Sequence, residues 1–365
     1  MYFALMFLLK QLNLVQFRNY IQKQFVFKDR IVGIVGPNGT GKTNVLDAIY
    51  YLSFTKSYFN RPDAQNVHHA YQGLRIDGVY ESNKVLSNIT CVIRENLKKE
   101  FSFDNEIYNK LSLHIGKIPC VMIAPDDVQI ITGTSEERRK LMDSLLSQIY
   151  PDYLKYLIAY NKVLQQRNSL LKLAAESGSL DSILLETLNE QLVKNGEIIF
   201  EYRQDLLKKY LLNIISKYTH IAGQNDQIQI AYQSQLLGQN LDKLLEQSLS
   251  KDKILQRTSV GIHKDDLIIT IQGQPFKQEA SQGQRKSLLF AIRLAEWEFI
   301  KEIKGLSPIL LMDDIFEKLD ERRMIQLLEW VSKYNDGQVF ITDTHQQRVS
   351  ELLGTHLKSF QVIEL

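Results

Sequence analysis

The chain is poor in the residues that build metal clusters and disulfide frameworks. It has two cysteines in 365 residues, Cys91 and Cys120, with no metal-ligand spacing between them. Each lies in an apolar, strand-like run, so both read as buried core thiols, and a reducing cytoplasm fits them. An excess of either charge is also missing. Forty-four Lys and Arg against 42 Asp and Glu leave a net charge of +2, so any nucleic-acid surface must be a local patch rather than a global field. No apolar run approaches the ~20 residues that span a bilayer. The apolar start, Met1 to Lys10, is short, lacks a basic n-region and is followed by no small-residue cleavage site. It reads as the lead-in to a first strand at Gln11 to Phe17. There is no helix-turn-helix, zinc-finger or RNP-type aromatic motif, which excludes the usual routes to base-sequence readout.

What the chain does have is a glycine loop in a telling place. Gly36, Pro37, Asn38, Gly39, Thr40, Gly41, Lys42 and Thr43 spell G-x-x-x-x-G-K-T. The apolar run Ile31 to Val35 precedes it and a helical pattern through Tyr50 follows. That is the strand, loop and helix order of a P-loop. Such glycines let the backbone curl around a phosphate chain with its N–H groups pointing inward, and the helix adds its positive N-terminal end. Lys42 would reach the β- and γ-phosphates, and the Thr43 hydroxyl would hold Mg²⁺. A nucleoside triphosphate, ATP, is the expected ligand.

Composition divides the chain. Residues 1 to about 130 read as strands with a few helices, with β-branched runs at 74–79, 86–93, 98–103 and 119–123. From Ser135 to about Lys217 the pattern is helical, broken near Glu176 to Asp181, with Asp181 or Ser182 as N-cap. Either an antiparallel helical arm or a compact helical subdomain fits this stretch. After Thr258 strands return at 266–271, 307–312 and 338–342, with helices at 284–303 and 321–334 between them. The fold class is α/β: residues 1–133 and 250–365 form one P-loop ATPase head, and 134–249 form an inserted, mainly helical arm or lobe.

Three further segments complete a nucleotide site. The run Pro308 to Met312 ends in Asp313 and Asp314, a Walker B pattern, with Asp313 placed to hold Mg²⁺ and Asp314 to polarise the attacking water. Asp rather than Glu at 314 is a departure that would slow hydrolysis. Ser281, Gln282, Gly283 and Gln284 open a long amphipathic helix, where Ser281 can cap and Gly283 can let an anion approach. The strand at 338–342 runs into Asp343 and, two residues on, His345; both stand as candidate γ-phosphate sensors. Pro125 to Gln129 is the best candidate for the glutamine loop by order.

The order of these motifs resembles the ATP-binding-cassette class. The resemblance implies that Ser281 to Gln284 act in trans on the nucleotide of a second protomer, that Glu317-Lys-Leu-Asp320 is the D-loop, and that two heads sandwich ATP as a homodimer. The residues Leu14 to Tyr20, Ala124-Pro-Asp-Asp127, Arg138 to Asp143, Gly261-Ile-His-Lys-Asp-Asp266 and Asp313 to Asp320, in order, look like the RecF family of bacterial gap-repair mediators. That family more often has Gly-Pro-His-Arg-Asp-Asp at 261–266. Lys264 keeps the charge and loses the planar fork, and a bracing role for His263 and Asp265 is at least as good a reading as a catalytic one. The resemblance implies ATP-dependent, sequence-independent binding of single- and double-stranded DNA, weak ATPase activity acting as a switch, and action with RecR and RecO in recombinational repair. Basic residues of the helical middle, led by Arg138, Arg139 and Lys140 and including Arg167 and Arg203, are candidates for phosphate contacts, with Arg18 and Lys56 near the head. A transporter ATPase subunit is disfavoured by the helical insertion, a nuclease-linked ATPase by the short C-terminal remainder, and a chromosome-organising ATPase by the missing long arm.

Overall fold

The computed structural model describes residues 5–315, 321–357 and 359–365. The chain forms two compact units: residues 1–127, 220–223 and 282–365 make the first, and 128–219 with 224–281 the second.

In the first unit, apolar runs with no polar alternation become the four buried strands of a five-stranded parallel sheet, whose remaining strand Gln361–Glu364 is only half-buried to exposed. Its strand order is Gln361–Glu364, Ile31–Val35, Val339–Asp343, Ile309–Met312 and Cys120–Ile123. All neighbours in it pair in parallel. Sequences that do alternate form a six-stranded antiparallel sheet of Tyr20–Val26, Leu8–Phe17, Leu74–Ser82, Val85–Ile93, Lys99–Phe103 and Glu106–Ile107. The helix Lys42–Phe54 is buried nearly all round and packs with both sheets, in one core with Leu12, Ile34, Ile76 and Phe340. Gln338 ties the sheets together: its Oε1 accepts from the Leu9 amide at 2.6 Å and its Nε2 donates to the Leu9 carbonyl at 3.0 Å. The helix Gln282–Lys304 buries Leu288, Ala291, Ala295 and Trp297. Trp297 meets Trp330 edge-on at 5.3 Å and donates to the Pro308 carbonyl. Cys91 and Cys120 form no disulfide and are buried, as expected, and burial pushes the Cys91 thiol up to about 12.

The second unit packs the helices Ser135–Ile149, Pro151–Ser177, Leu241–Leu255 and, up to residue 219, Ser182–Ala222 with a small sheet of Ile228–Gln233, Asp266–Ile271 and Gln274–Pro275. Pro151 opens its helix, where a missing N–H is harmless. Asp181 caps the next one, accepting from the Leu184 amide at 3.0 Å. At 41 residues that helix is roughly 60 Å long. The two long helices are tied together by Arg167, whose Nε donates to Asn189 at 2.8 Å. Gly196 sits where Tyr160 and Leu241 close on the long helix; a Cβ there would lie 2.6 Å from Leu241.

The boundaries fall at 128 and 281, where the sequence placed them at 134 and 249. Residues 250–281 go with the helical unit because Asp252 pairs with Arg167 at 2.8 Å and Asp266–Ile271 is hydrogen-bonded to Ile228–Gln233. Arg167 and Arg203 are corrected from phosphate-contact candidates to core residues, 0% and 1% exposed. Arg203 donates to Asp143, Asp265 and the Ile262 carbonyl, each at 2.7 Å. An amphipathic-helix reading cannot separate a solvated arginine from one paired by acids 60 residues away.

Candidate nucleotide-binding site

Three strands of the parallel sheet deliver the site's chemistry from the same, C-terminal edge. Val35 leads into the glycine loop, Met312 into Asp313, and Val339–Asp343 ends beside them, with Thr342 in register with Ile34. Gly41 is held at φ 107, and a Cβ there would lie 2.5 Å from Asn19 and 2.7 Å from the Tyr20 hydroxyl, so only glycine fits. Lys42 opens the helix and folds back over the loop, its Nζ donating to the Gly36 and Pro37 carbonyls at 2.8 and 3.0 Å. The ammonium is buried and meets only carbonyl oxygens there, a geometry an anionic phosphate would outcompete.

The Thr43 hydroxyl donates to both oxygens of Asp313, at 2.9 and 3.0 Å. The same carboxylate accepts from Thr342 at 2.7 Å, and Thr342 in turn accepts from the Asp314 amide at 2.9 Å. Burial pushes the Asp313 carboxyl up to about 6; the neighbouring Asp314 charge adds to this, while Thr342, Thr43 and Lys42 oppose it. A buried carboxylate short of compensating positive charge, with a threonine hydroxyl on it, is an oxygen donor set suited to Mg²⁺. Asp314 sits at φ 45, in the left-handed region, at the turn out of the strand.

Outside the loop a second network braces it. Arg18 is 9% exposed and donates to Asp47, Ser57 and Asn44, and Asn44 donates to Asn19, whose own amide holds the Thr40 carbonyl at 2.9 Å. Arg18 is thereby corrected from a candidate for phosphate contacts to a buried support of the glycine loop. Of the segment after Ile123, Asp127 is buried, accepting from Tyr58, Arg293 and the Ala124 amide, with Arg293 also paired to Glu296. Gln129 is exposed and begins a short helix in the other unit.

Of the two sensor candidates, Asp343 is fully buried and held by the His345 amide and by Arg348, both at 2.7 Å. His345 has a side chain 68% exposed and accessible to a ligand. Gln282 and Gly283 form the first turn of their helix, and Ser281, exposed, immediately precedes it; Gln284 is half-buried. Gly283 lies under the Arg323 guanidinium, 3.0 Å from where a Cβ would stand, and Arg323 also donates to Ser287. Asp320 lies outside the described residues. In the second unit, Arg138 is bidentate to Asp266 at 2.6 and 3.0 Å, Arg139 donates to the Asp265 carbonyl, and Lys140 pairs with Glu136 and Glu137. Thr342 and the bracing role of the Arg18 network were not among the sequence readings. A threonine directly before the strand-end Asp343 was the available signal for the first; the second joins residues up to 48 apart and left none.

The model of the RecF/RecN/SMC N terminal domain family matches residues 8–362. The DNA replication and repair protein RecF of Flavobacterium johnsoniae is 42% identical over 357 residues, covering 98% of this chain and 99% of that one. The chain belongs to the RecF family. Its RecF relative from Phocaeicola vulgatus is 37% identical, with 97% and 95% covered. The solved structure of the recombination mediator protein RecF-ATP in the RecFOR pathway is similar at TM-score 0.87 and 28% identity, over 95% of this chain and 94% of that one. The Smc head domain of Pyrococcus furiosus is similar in fold, at TM-score 0.55 and 13% identity. The RecF fold is thus that of an ATP-binding-cassette-like head, and among the described residues no helix is long and apolar enough to cross a membrane.

Proposed function

We propose that this RecF-family chain is an ATP-switched DNA-binding protein of replication-linked and recombinational repair. The observation that carries the reading is the Thr43–Asp313 pair, which joins P-loop and Walker B across 270 residues beside a lysine folded over the loop. Lys42 and the loop amides would hold the phosphates of ATP. Thr43 and Asp313 would hold Mg²⁺, which neutralises phosphate charge when bound. Thr342 keeps Asp313 oriented toward Thr43, and Asp314 would position the attacking water, with slow turnover because an aspartate reaches less far than a glutamate. Gly36 to Thr43 form the cradle, and His345 is the better sensor of the two candidates because Asp343 is already occupied by Arg348.

Ser281, Gln282, Gly283 and Gln284 are assigned to the nucleotide of a second protomer, with Asp320 as the D-loop contact across the dimer. ATP then supplies differential affinity for a closed homodimer, which is what a switch needs. DNA is the expected substrate surface for that dimer. Its relatives' place in the RecFOR pathway makes RecR, with RecO, the expected protein partners, and a cytoplasmic location follows from that role.

The test is binding of labelled gapped, duplex and single-stranded DNA by Asp314→Asn, with and without ATP and Mg²⁺. Tighter binding with nucleotide is expected, because the variant should bind ATP and hydrolyse it slowly. Absence of DNA binding in every state would end the DNA reading. Ser281→Arg should abolish ATP-dependent dimerisation in sedimentation while leaving monomer ATP affinity intact; an unchanged dimer would remove the sandwich assignment.

A further inference from the structure

Three cations gather on the second unit with no acid to neutralise them. Lys251, Arg257 and Lys264 are all exposed, and among the described residues none makes an ion pair. Lys251 lies in the last turn-and-a-half of the helix Leu241–Leu255, Arg257 lies just past its left-handed cap at Gln256, and Lys264 closes the turn that follows.

The backbone holds these positions together. The Arg257 amide donates to the Asp252 carbonyl at 3.2 Å. His263 meets the Thr258 carbonyl through Nε2 at 3.2 Å and the Tyr160 hydroxyl through Nδ1 at 2.8 Å. Arg139 reaches in to donate to the carbonyl of Asp265, the residue after Lys264, at 2.9 Å. The acid whose charge reaches Lys264 is Asp252, and it is fully buried and already engaged by Arg167, Ser248 and Ser259. The backbone from which the three side chains project is held by these contacts, which fixes where the three stems begin.

We propose that Lys251, Arg257 and Lys264, with Arg139 at their edge, form a docking surface for the phosphate backbone of nucleic acid. The proposal rests on the DNA-binding reading above and says where on this chain a contact is made. Consistent with it, the Lys264 ammonium is lowered by partial burial and by the charges of Arg257, Arg139 and Lys251, so the patch gains when an anion arrives. The surface reads no bases: three unpaired cations with no amide or aromatic partner bind backbone charge.

The test uses the full-length chain, a labelled duplex and a labelled single strand, across a salt series, with ATP and Mg²⁺. Arg257→Gln/Lys264→Gln should lower DNA affinity roughly tenfold near 0.1 M salt and flatten the slope of log K against log salt by about one unit for each phosphate left unneutralised. ATP affinity should be unchanged, and Lys264→Arg should retain wild-type DNA affinity. Lys208→Gln/Lys209→Gln, an equal loss of charge on the long helix, should leave the salt slope where it is. Equal effects from the two double variants would overturn the proposal in favour of bulk charge. Unchanged DNA affinity in Arg257→Gln/Lys264→Gln, with loss of binding to a polyglutamate peptide, would overturn it in favour of an acidic protein partner. If the wild-type chain binds no DNA under any condition, the parent reading fails, which is a different result from the variants matching wild type.

Discussion

In the core of the second unit, Arg203 meets Asp143 and Asp265 at 2.7 Å, and a tyrosine hydroxyl and a carbonyl fill its remaining geometry. In the nucleotide site, Asp313 meets two threonine hydroxyls and stands beside a second carboxylate. Both charges are buried, but the first is balanced within the chain and the second is not. A protein tolerates an uncompensated buried charge where a ligand will complete it, and elsewhere it pairs the charge or removes it. The contrast separates scaffold from site without reference to any relative.

The largest effect should come from the balanced side. Arg203→Leu strands Asp143 and Asp265, and the second unit is expected to lose about 3–5 kcal/mol in urea unfolding. A loss below about 1 kcal/mol would mean that this core does not depend on the pairing. Lys42→Ala should do the reverse. Its stability should stay within about 1 kcal/mol, because only two loop carbonyls lose a donor, while ATP affinity in calorimetry falls roughly a hundredfold.

The Asp313 carboxyl sharpens the comparison through pH. Its folded value, about 6, lies above the ordinary 3.8, so between these the folded state holds the extra proton. The stability this group contributes is therefore fully present below about pH 4 and is lost as pH rises through about 6, on the order of 1–3 kcal/mol in all. Thermal melts of wild type and Asp313→Asn should differ in slope across that window, with the variant flatter; parallel curves would show the site is not strained. Mg²⁺ competes with the same proton, so Mg²⁺-dependent ATP binding should weaken as pH falls below about 6. The smallest effect is expected for Thr342→Val, which removes one donor from Asp313 and one acceptor for the Asp314 amide, about 1 kcal/mol. It should also move the pH threshold for Mg²⁺ binding upward.

The parts legible in the sequence were those whose meaning is local. A strand, a glycine loop and a helix in consecutive order identify Gly36 to Thr43, and an apolar run ending in two aspartates identifies Asp313 and Asp314. What stayed hidden depends on partners far away in the chain. Arg18 looks like a surface cation until Asp47 and Ser57 fold around it. Thr342 acquires a role only when Ile309–Met312 pairs beside Val339–Asp343. Residues 250–281 carry no compositional sign of leaving the head; Arg167 and the strand Ile228–Gln233 decide that.

The placing of Ile31–Val35 between Gln361–Glu364 and Val339–Asp343 also sets a timetable for synthesis. At 5–20 residues per second the strand waits roughly 15–60 s for its neighbours to leave the ribosome. During that interval the helix Lys42–Phe54 has no complete parallel sheet to cover it, and the residues it buries in the finished fold stay exposed on that side. The second unit, almost continuous in sequence, is free to fold meanwhile. A chaperone that shields the first third of the chain would therefore matter more to yield than one acting on the finished protein.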